Sequence, residues 1–329
     1  MRIIRGPEIT KILAGREREV IDSVRQAYLL HDEEKTVLPH SSFLRWPGRA
    51  AGRIIALPAY LGGPEPVAGL KWISSFPSNH NLGLPRASAV IVLNSTETGV
   101  PEAILEGSAI SAARTAASAA LAADALKATP ERIGLIGCGL IGRETLSFLR
   151  HYHPHSNWDV RLFDLEKRRA AALADYCQNA YAPVTAKVAS SSTEVLATCS
   201  LVILATTAAT PYIDDLSSVR TGATLLHISL RDLAPEVILG CRNIVDDVEH
   251  VSREKTSIHL AQMLKGDVGY IDGTLADVLR GRVPPRRSPN DVVVFSPFGL
   301  GILDLAVAQM VAGVAQSEGL GVVIESFLP

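Results

Sequence analysis

Val20, Ile21, Val24, Ala27 and Tyr28 recur at the i, i+1, i+4, i+7, i+8 spacing of one helix face, which predicts an amphipathic helix near the N-terminus. Beyond it the apolar runs RIIALPAY, VAGLKWISSF and ASAVIVLN are punctuated by Pro and Gly and read as strands joined by turns. The first part of the chain is therefore α+β and sheet-rich. From Pro101 the segment PEAILEGSAISAARTAASAALAADALKA is Ala-rich and predicts a helix of several turns. After Pro130 short apolar runs (RIGLIG, DVRLFD, AKVAS) alternate with the helical stretches RETLSFLRHY and EKRRAAALADYC, and EVLATC, LVILATT, TLLHIS and NIVDDV continue the series. Such alternation is the signature of βαβ units and of a parallel sheet buried on both faces. Near the end, VVVFSPFGLGILDLAVAQMVAGVAQ reads as a strand, a glycine turn and a long helix with hardly a charge. That helix must be buried, against the N-terminal region or a second subunit.

The length of 329 residues suggests about two domains. Lys+Arg number 32 against 34 Asp+Glu, a net charge of −2, so no surplus draws the chain to nucleic acid or an anionic membrane. Aromatic residues, at 5%, leave little for stacking on bases. The four cysteines, Cys138, Cys177, Cys199 and Cys241, form no CxxC pair, which argues against a zinc knuckle or disulfide framework and for a reducing compartment. The start, MRIIRGPEIT, does not read as a signal peptide. Val195 to Ile213 carries no charge, but its threonines, serine and proline suit a buried strand entering a loop better than a membrane span. A cytoplasmic globular protein is expected.

Gly137-Cys138-Gly139-Leu140-Ile141-Gly142 follows the strand RIGLI and opens a helix, and Asp164 ends the next strand, 22 residues after Gly142. In that setting the glycines allow a tight turn and backbone approach to a pyrophosphate, and the helix N-terminus offers N–H donors. Asp164 would accept the ribose hydroxyls and repel a 2′-phosphate, which favours NAD over NADP. The Lys167-Arg168-Arg169 run keeps NADP open. Thr206 and Thr207, at the end of LVILATT, are further candidate cofactor contacts.

A dinucleotide fold names no substrate. Arg45, Arg53, Lys71, Arg86 and Arg114 lie among apolar neighbours and are candidates to bind substrate carboxylates. Alternation puts Lys71 on the strand face of Gly69 and Ile73, and Arg114 has no other charge between Glu106 and Asp124. The alternative for each is a structural ion pair. Asp232 lies just past a predicted parallel strand, on the edge that faces ligands in doubly wound sheets, where a carboxylate can shuttle protons. The alternative there is an N-cap for APEVILG. The nine histidines show no metal-ligand spacing, and no GxSxG or Cys–His pairing suggests covalent catalysis.

With Lys71, Arg114, the glycine loop and Asp232 in this order, the sequence resembles the ornithine cyclodeaminase/mu-crystallin family over nearly its whole length. GLKWISSFPSN, the long ASAVIVLNSTETGVPEAILEGSAISAARTAASAALAA segment, LIGCGLIG and SPFGLGILDLAVA carry the likeness. KWISSFPSN, PRASAV, RIIALPAYLGG and HISLRDLAPE look closest to the branch of N-(2-amino-2-carboxyethyl)-L-glutamate dehydrogenases of 2,3-diaminopropionate and siderophore synthesis. The resemblance implies a substrate-binding and homodimerisation domain of residues 1–115 plus 303–329 around a Rossmann domain of 116–302. It implies substrate-carboxylate roles for Lys71 and Arg114, with Lys71 also catalytic, and proton transfer by Asp232. SLRDLAPE departs from the Gly-rich segment of ornithine cyclodeaminases, which speaks against ornithine cyclisation. An ornithine cyclodeaminase, another NAD(P)-dependent amino- or imino-acid dehydrogenase, and a non-catalytic dinucleotide-binding protein of mu-crystallin type remain alternatives.

Overall fold

The Val20–Tyr28 stripe folds as the helix Glu17–Asp32, with Val20, Ile21, Val24, Ala27 and Tyr28 all buried. The three Pro/Gly-bounded runs form the strands Arg53–Leu61, Val67–Ser75 and Ala87–Asn94, paired antiparallel in sequence order. The computed structural model describes residues 1–48, 52–128, 130–154, 157–181 and 184–327. By its contacts the chain forms two units, residues 1–117 with 299–329, and residues 118–298.

The first unit is built on an eight-stranded mixed sheet. Pro101–Glu106 is one of its strands, not the start of the Ala-rich helix, which spans Gly107–Ala125. Pairing with Ala87–Asn94 on one side and Arg2–Ile4 on the other overrides helix propensity, and the segment shows the strand period in Ala103 and Leu105, both buried. The apolar C-terminal helix Gly301–Ser317 packs on Glu17–Asp32 and on the three central strands. Its approach is close enough that a Cβ at Gly69 would lie 3.1 Å from Leu305, while the neighbouring strand's Val92 carbonyl would be 2.2 Å away.

The second unit is an all-parallel sheet. Its order in space is Val184–Val188, Trp158–Phe163, Arg132–Ile136, Leu201–Leu204, Thr224–His227, Val293–Ser296, Arg242–Val245 and Ile271–Thr274. The order reverses between Arg132–Ile136 and Leu201–Leu204, a topological switch point, and doubly wound sheets bind ligands at the carboxyl ends of such strands. EVLATC is not a strand but part of the helix Ser192–Thr198; Ser191 caps it by accepting the Glu194 N–H at 3.1 Å, the S-x-x-E signature.

Candidate functional site

Each unit carries a buried polar cluster that holds predicted site residues. In the first, Lys71 faces inward from Val67–Ser75 and is 2% exposed, while Trp72 points outward. Its Nζ donates to Asp304 Oδ2 at 2.6 Å and to Ser111 Oγ at 3.3 Å. Arg114 Nε donates to the other Asp304 oxygen at 3.1 Å. Both predicted cations are thus ion-paired, through one acid. Two cations and one carboxylate leave a formal charge of +1 in a site where Asp304 is fully buried. Among the described residues Asp304 is the sole partner of Arg114, so its two Nη groups remain free for a ligand oxygen. Gly299, at φ +90°, leaves room for them, because a Cβ there would come within 2.6 Å of Nη1.

Burial pushes the Lys71 ammonium down to about 8, with Arg114 also lowering it and Asp304 opposing both. Burial raises the Asp304 carboxyl, but Arg114 and Lys71 outweigh it and hold the group below its ordinary value. Arg45, Arg53 and Arg86 do not bond to this cluster. Arg45 stacks over the Phe43 ring at 4.7 Å. Arg86 lies beside Arg53, and burial followed by the Arg53 charge lowers its pKa.

In the second unit the glycine loop sits at the switch point. Gly137, at φ +95°, presses on the next strand's exit, where a Cβ would be 2.5 Å from the Ala205 carbonyl oxygen. Gly142 packs as tightly, 2.6 Å from the Gly137 carbonyl oxygen, whereas a Cβ on Gly139 would meet nothing within 4 Å. The loop is therefore closed toward the protein and open above Gly139, where Leu140 and Ile141 begin the helix Leu140–Tyr152. Asp164 is tied to the loop: it accepts the Cys138 and Glu166 N–H groups, each at 2.8 Å. Arg168 and Arg169 are paired with Glu166 at 2.8 and 2.6 Å.

Asp232 is fully buried and does not cap a helix; Ala234 precedes Pro235–Leu239. Thr206 Oγ1 donates to its Oδ1 at 2.5 Å, and Ser229 Oγ donates to Oδ2. Thr206, predicted as a cofactor contact, is thereby part of the Asp232 cluster, while Thr207 is exposed. The Asp232 backbone N–H donates to His227 Nε2 at 3.1 Å, that nitrogen also lies 3.4 Å from Asp232 Oδ2, and Nδ1 is 3.1 Å from Ser296 Oγ. Burial raises the Asp232 carboxyl, and His227 beside it with the Ser229 and Thr206 hydroxyls lowers it further than that, so it is a carboxylate at neutral pH. The Thr206 and Ser229 hydroxyls and His227 Nε2 are side-chain groups set against it.

Sequence reasoning missed Asp304, His227 and Ser296. Asp304 carried the signal that singled out Arg114, since it is the one charge between Asp291 and Glu318. Among the described residues no group of three or more His, Cys, Asp or Glu could hold a metal, and no helix is long and apolar enough to cross a membrane.

The model of the ornithine cyclodeaminase/mu-crystallin family matches residues 18–319. The N-((2S)-2-amino-2-carboxyethyl)-L-glutamate dehydrogenase of Staphylococcus aureus is 32% identical over 93% of both chains. A Thermococcus litoralis Delta(1)-pyrroline-2-carboxylate reductase, solved with NADH and L-proline, superposes with a TM-score of 0.91 at 26% identity, covering 98% of this chain and 100% of that one. An archaeal alanine dehydrogenase dimer with bound NAD gives 0.89 at 27% identity, over 99% of each chain.

Proposed function

The chain belongs to the ornithine cyclodeaminase/mu-crystallin family and is an oxidoreductase that uses NAD, and from that premise we propose that it oxidatively cleaves N-(2-amino-2-carboxyethyl)-L-glutamate to L-2,3-diaminopropionate and 2-oxoglutarate. The observation that carries this reading is the buried Lys71–Asp304–Arg114 group, whose surplus positive charge suits a carboxylate. The 32% identity to the Staphylococcus aureus enzyme supports the reading at the level of an NAD-dependent amino- or imino-acid dehydrogenase.

The open space above Gly139 and the helix N-terminus behind it fit a dinucleotide pyrophosphate. NAD bound there supplies a two-electron hydride acceptor. Arg114 Nη groups and the remaining Lys71 N–H hold a carboxylate of the glutamate moiety and orient its α-C–H. Loss of hydride from the secondary amine leaves an iminium ion, water adds to its carbon, and the carbinolamine C–N bond breaks to give the 2-oxo acid and the free amine, the hydroxyl proton passing to solvent. Asp232, through Thr206 or Ser229, takes the proton of the adding water and returns it to the departing amine. Arg45, Arg53 and Arg86 are candidates for the remaining carboxylates.

Incubation with NAD and the synthetic conjugate should produce NADH together with both products. Product only from L-proline or L-alanine would favour the second reading, an amino- or imino-acid dehydrogenase, which the Thermococcus litoralis structure supports. Ammonia release from L-ornithine without net absorbance change would mark a cyclodeaminase.

Two further expectations attach to this reading. Gly139→Val should abolish NAD binding in a fluorescence titration while leaving the melting temperature nearly unchanged, because the added side chain meets only the cofactor's space. A homodimer through the first unit's sheet is the second. On the face away from Gly301–Ser317, Trp72 and Val90 are directly paired and each is 42% exposed, and Tyr60 is exposed farther along the neighbouring strand. Trp72→Glu with Val90→Glu should give monomers by light scattering; an unchanged mass would exclude this face.

A further inference from the structure

We propose that Asp304 is a positioning residue: it holds the Lys71 ammonium and the Arg114 guanidinium side by side, so that the two together present one net positive charge to a substrate carboxylate. Like charges do not gather in a buried site unaided. Lys71 comes from a strand and Arg114 from the helix Gly107–Ala125, and Asp304 meets each with a different oxygen, at 2.6 and 3.1 Å. Its position in the first turn of Gly301–Ser317 suits a negative charge. It takes only Nε of Arg114, which leaves the Nη pair for the ligand.

Asp304 also governs whether Lys71 is charged. The strands on either side place Leu57 and Ile91 opposite Lys71, and the helices contribute Ser111, Arg114 and Asp304. Among the described residues Asp304 is thus the one group opposing both burial and the Arg114 charge, which together bring the ammonium down to about 8. As pH rises through that value Lys71 loses its proton, the cluster becomes neutral, and affinity for a carboxylate falls. Without Asp304 the same loss occurs at lower pH.

This inference rests on the carboxylate-binding reading, but its first test needs no substrate. Of the eight lysines only Lys71 is buried, so its resonance in lysine-labelled protein is separable. Its NMR titration should have a midpoint near 8, and in Asp304→Asn the midpoint should fall by about one unit or more. The alkaline limb of kcat/KM should move down with it, KM for the amino acid should rise about tenfold or more at pH 8, and Asp304→Glu should restore much of both. An unmoved midpoint in Asp304→Asn overturns the inference. Should that variant not fold, Arg114→Gln should raise the Lys71 midpoint if Asp304 holds the two cations side by side, and an unmoved midpoint there overturns the inference instead. If Lys71→Met leaves KM unchanged while the titrations behave as expected, the carboxylate-binding reading fails and the role of Asp304 stands.

Discussion

Asp304→Asn is expected to lower the free energy of unfolding by about 3–5 kcal/mol, because it removes the shared partner of two buried cationic groups in a site where the acid is fully buried. The substitution is nearly isosteric, so the loss reflects charge and not a cavity. Urea unfolding at constant m-value measures it. Lys71→Met in the same chain should recover part of the loss, since it removes the more deeply buried of the two cations. The two substitutions should therefore be coupled by about 0.5–3 kcal/mol. A loss below about 1 kcal/mol for Asp304→Asn alone would mean that water or an ion compensates the cations, and the ion-pair account would fall.

Asp232→Asn is expected to lower kcat by about 10²–10⁴, the usual contribution of a positioned acid–base group, while NAD binds as before. The fold should tolerate the change. The amide oxygen still accepts from Thr206, the Ser229 hydroxyl can turn to accept from the amide NH₂, and the backbone bond to His227 is untouched. Steady-state rates beside a cofactor titration separate the two effects. Unchanged turnover would remove Asp232 from the chemistry and leave Thr206 and Ser229 as structural hydroxyls.

The two clusters differ in how far they could be read from the chain. The glycine loop was legible because its parts are local: strand, G-x-G-x-x-G and helix follow one another, and the structure places Gly137 and Gly142 where no side chain fits. Lys71 and Arg114 stood out as charges with apolar neighbours, but what they bond to did not. Their shared acid lies 233 and 190 residues away. The His227–Ser296 contact likewise spans 69 positions between two strands adjacent only in the folded sheet.

Hydrophobic period and turn chemistry depend on residues a few positions apart, so the sequence by itself determined the parallel dinucleotide-binding sheet, the amphipathic N-terminal helix and the buried C-terminal one. It failed at Pro101–Glu106, where pairing with strands on both sides outweighs local preference. Only the tertiary structure decided that Lys71 and Arg114 share Asp304, and that Asp232 is buried against Thr206, Ser229 and His227. Those arrangements arise when separate elements pack and desolvate their charges together, and no window along the chain contains both partners.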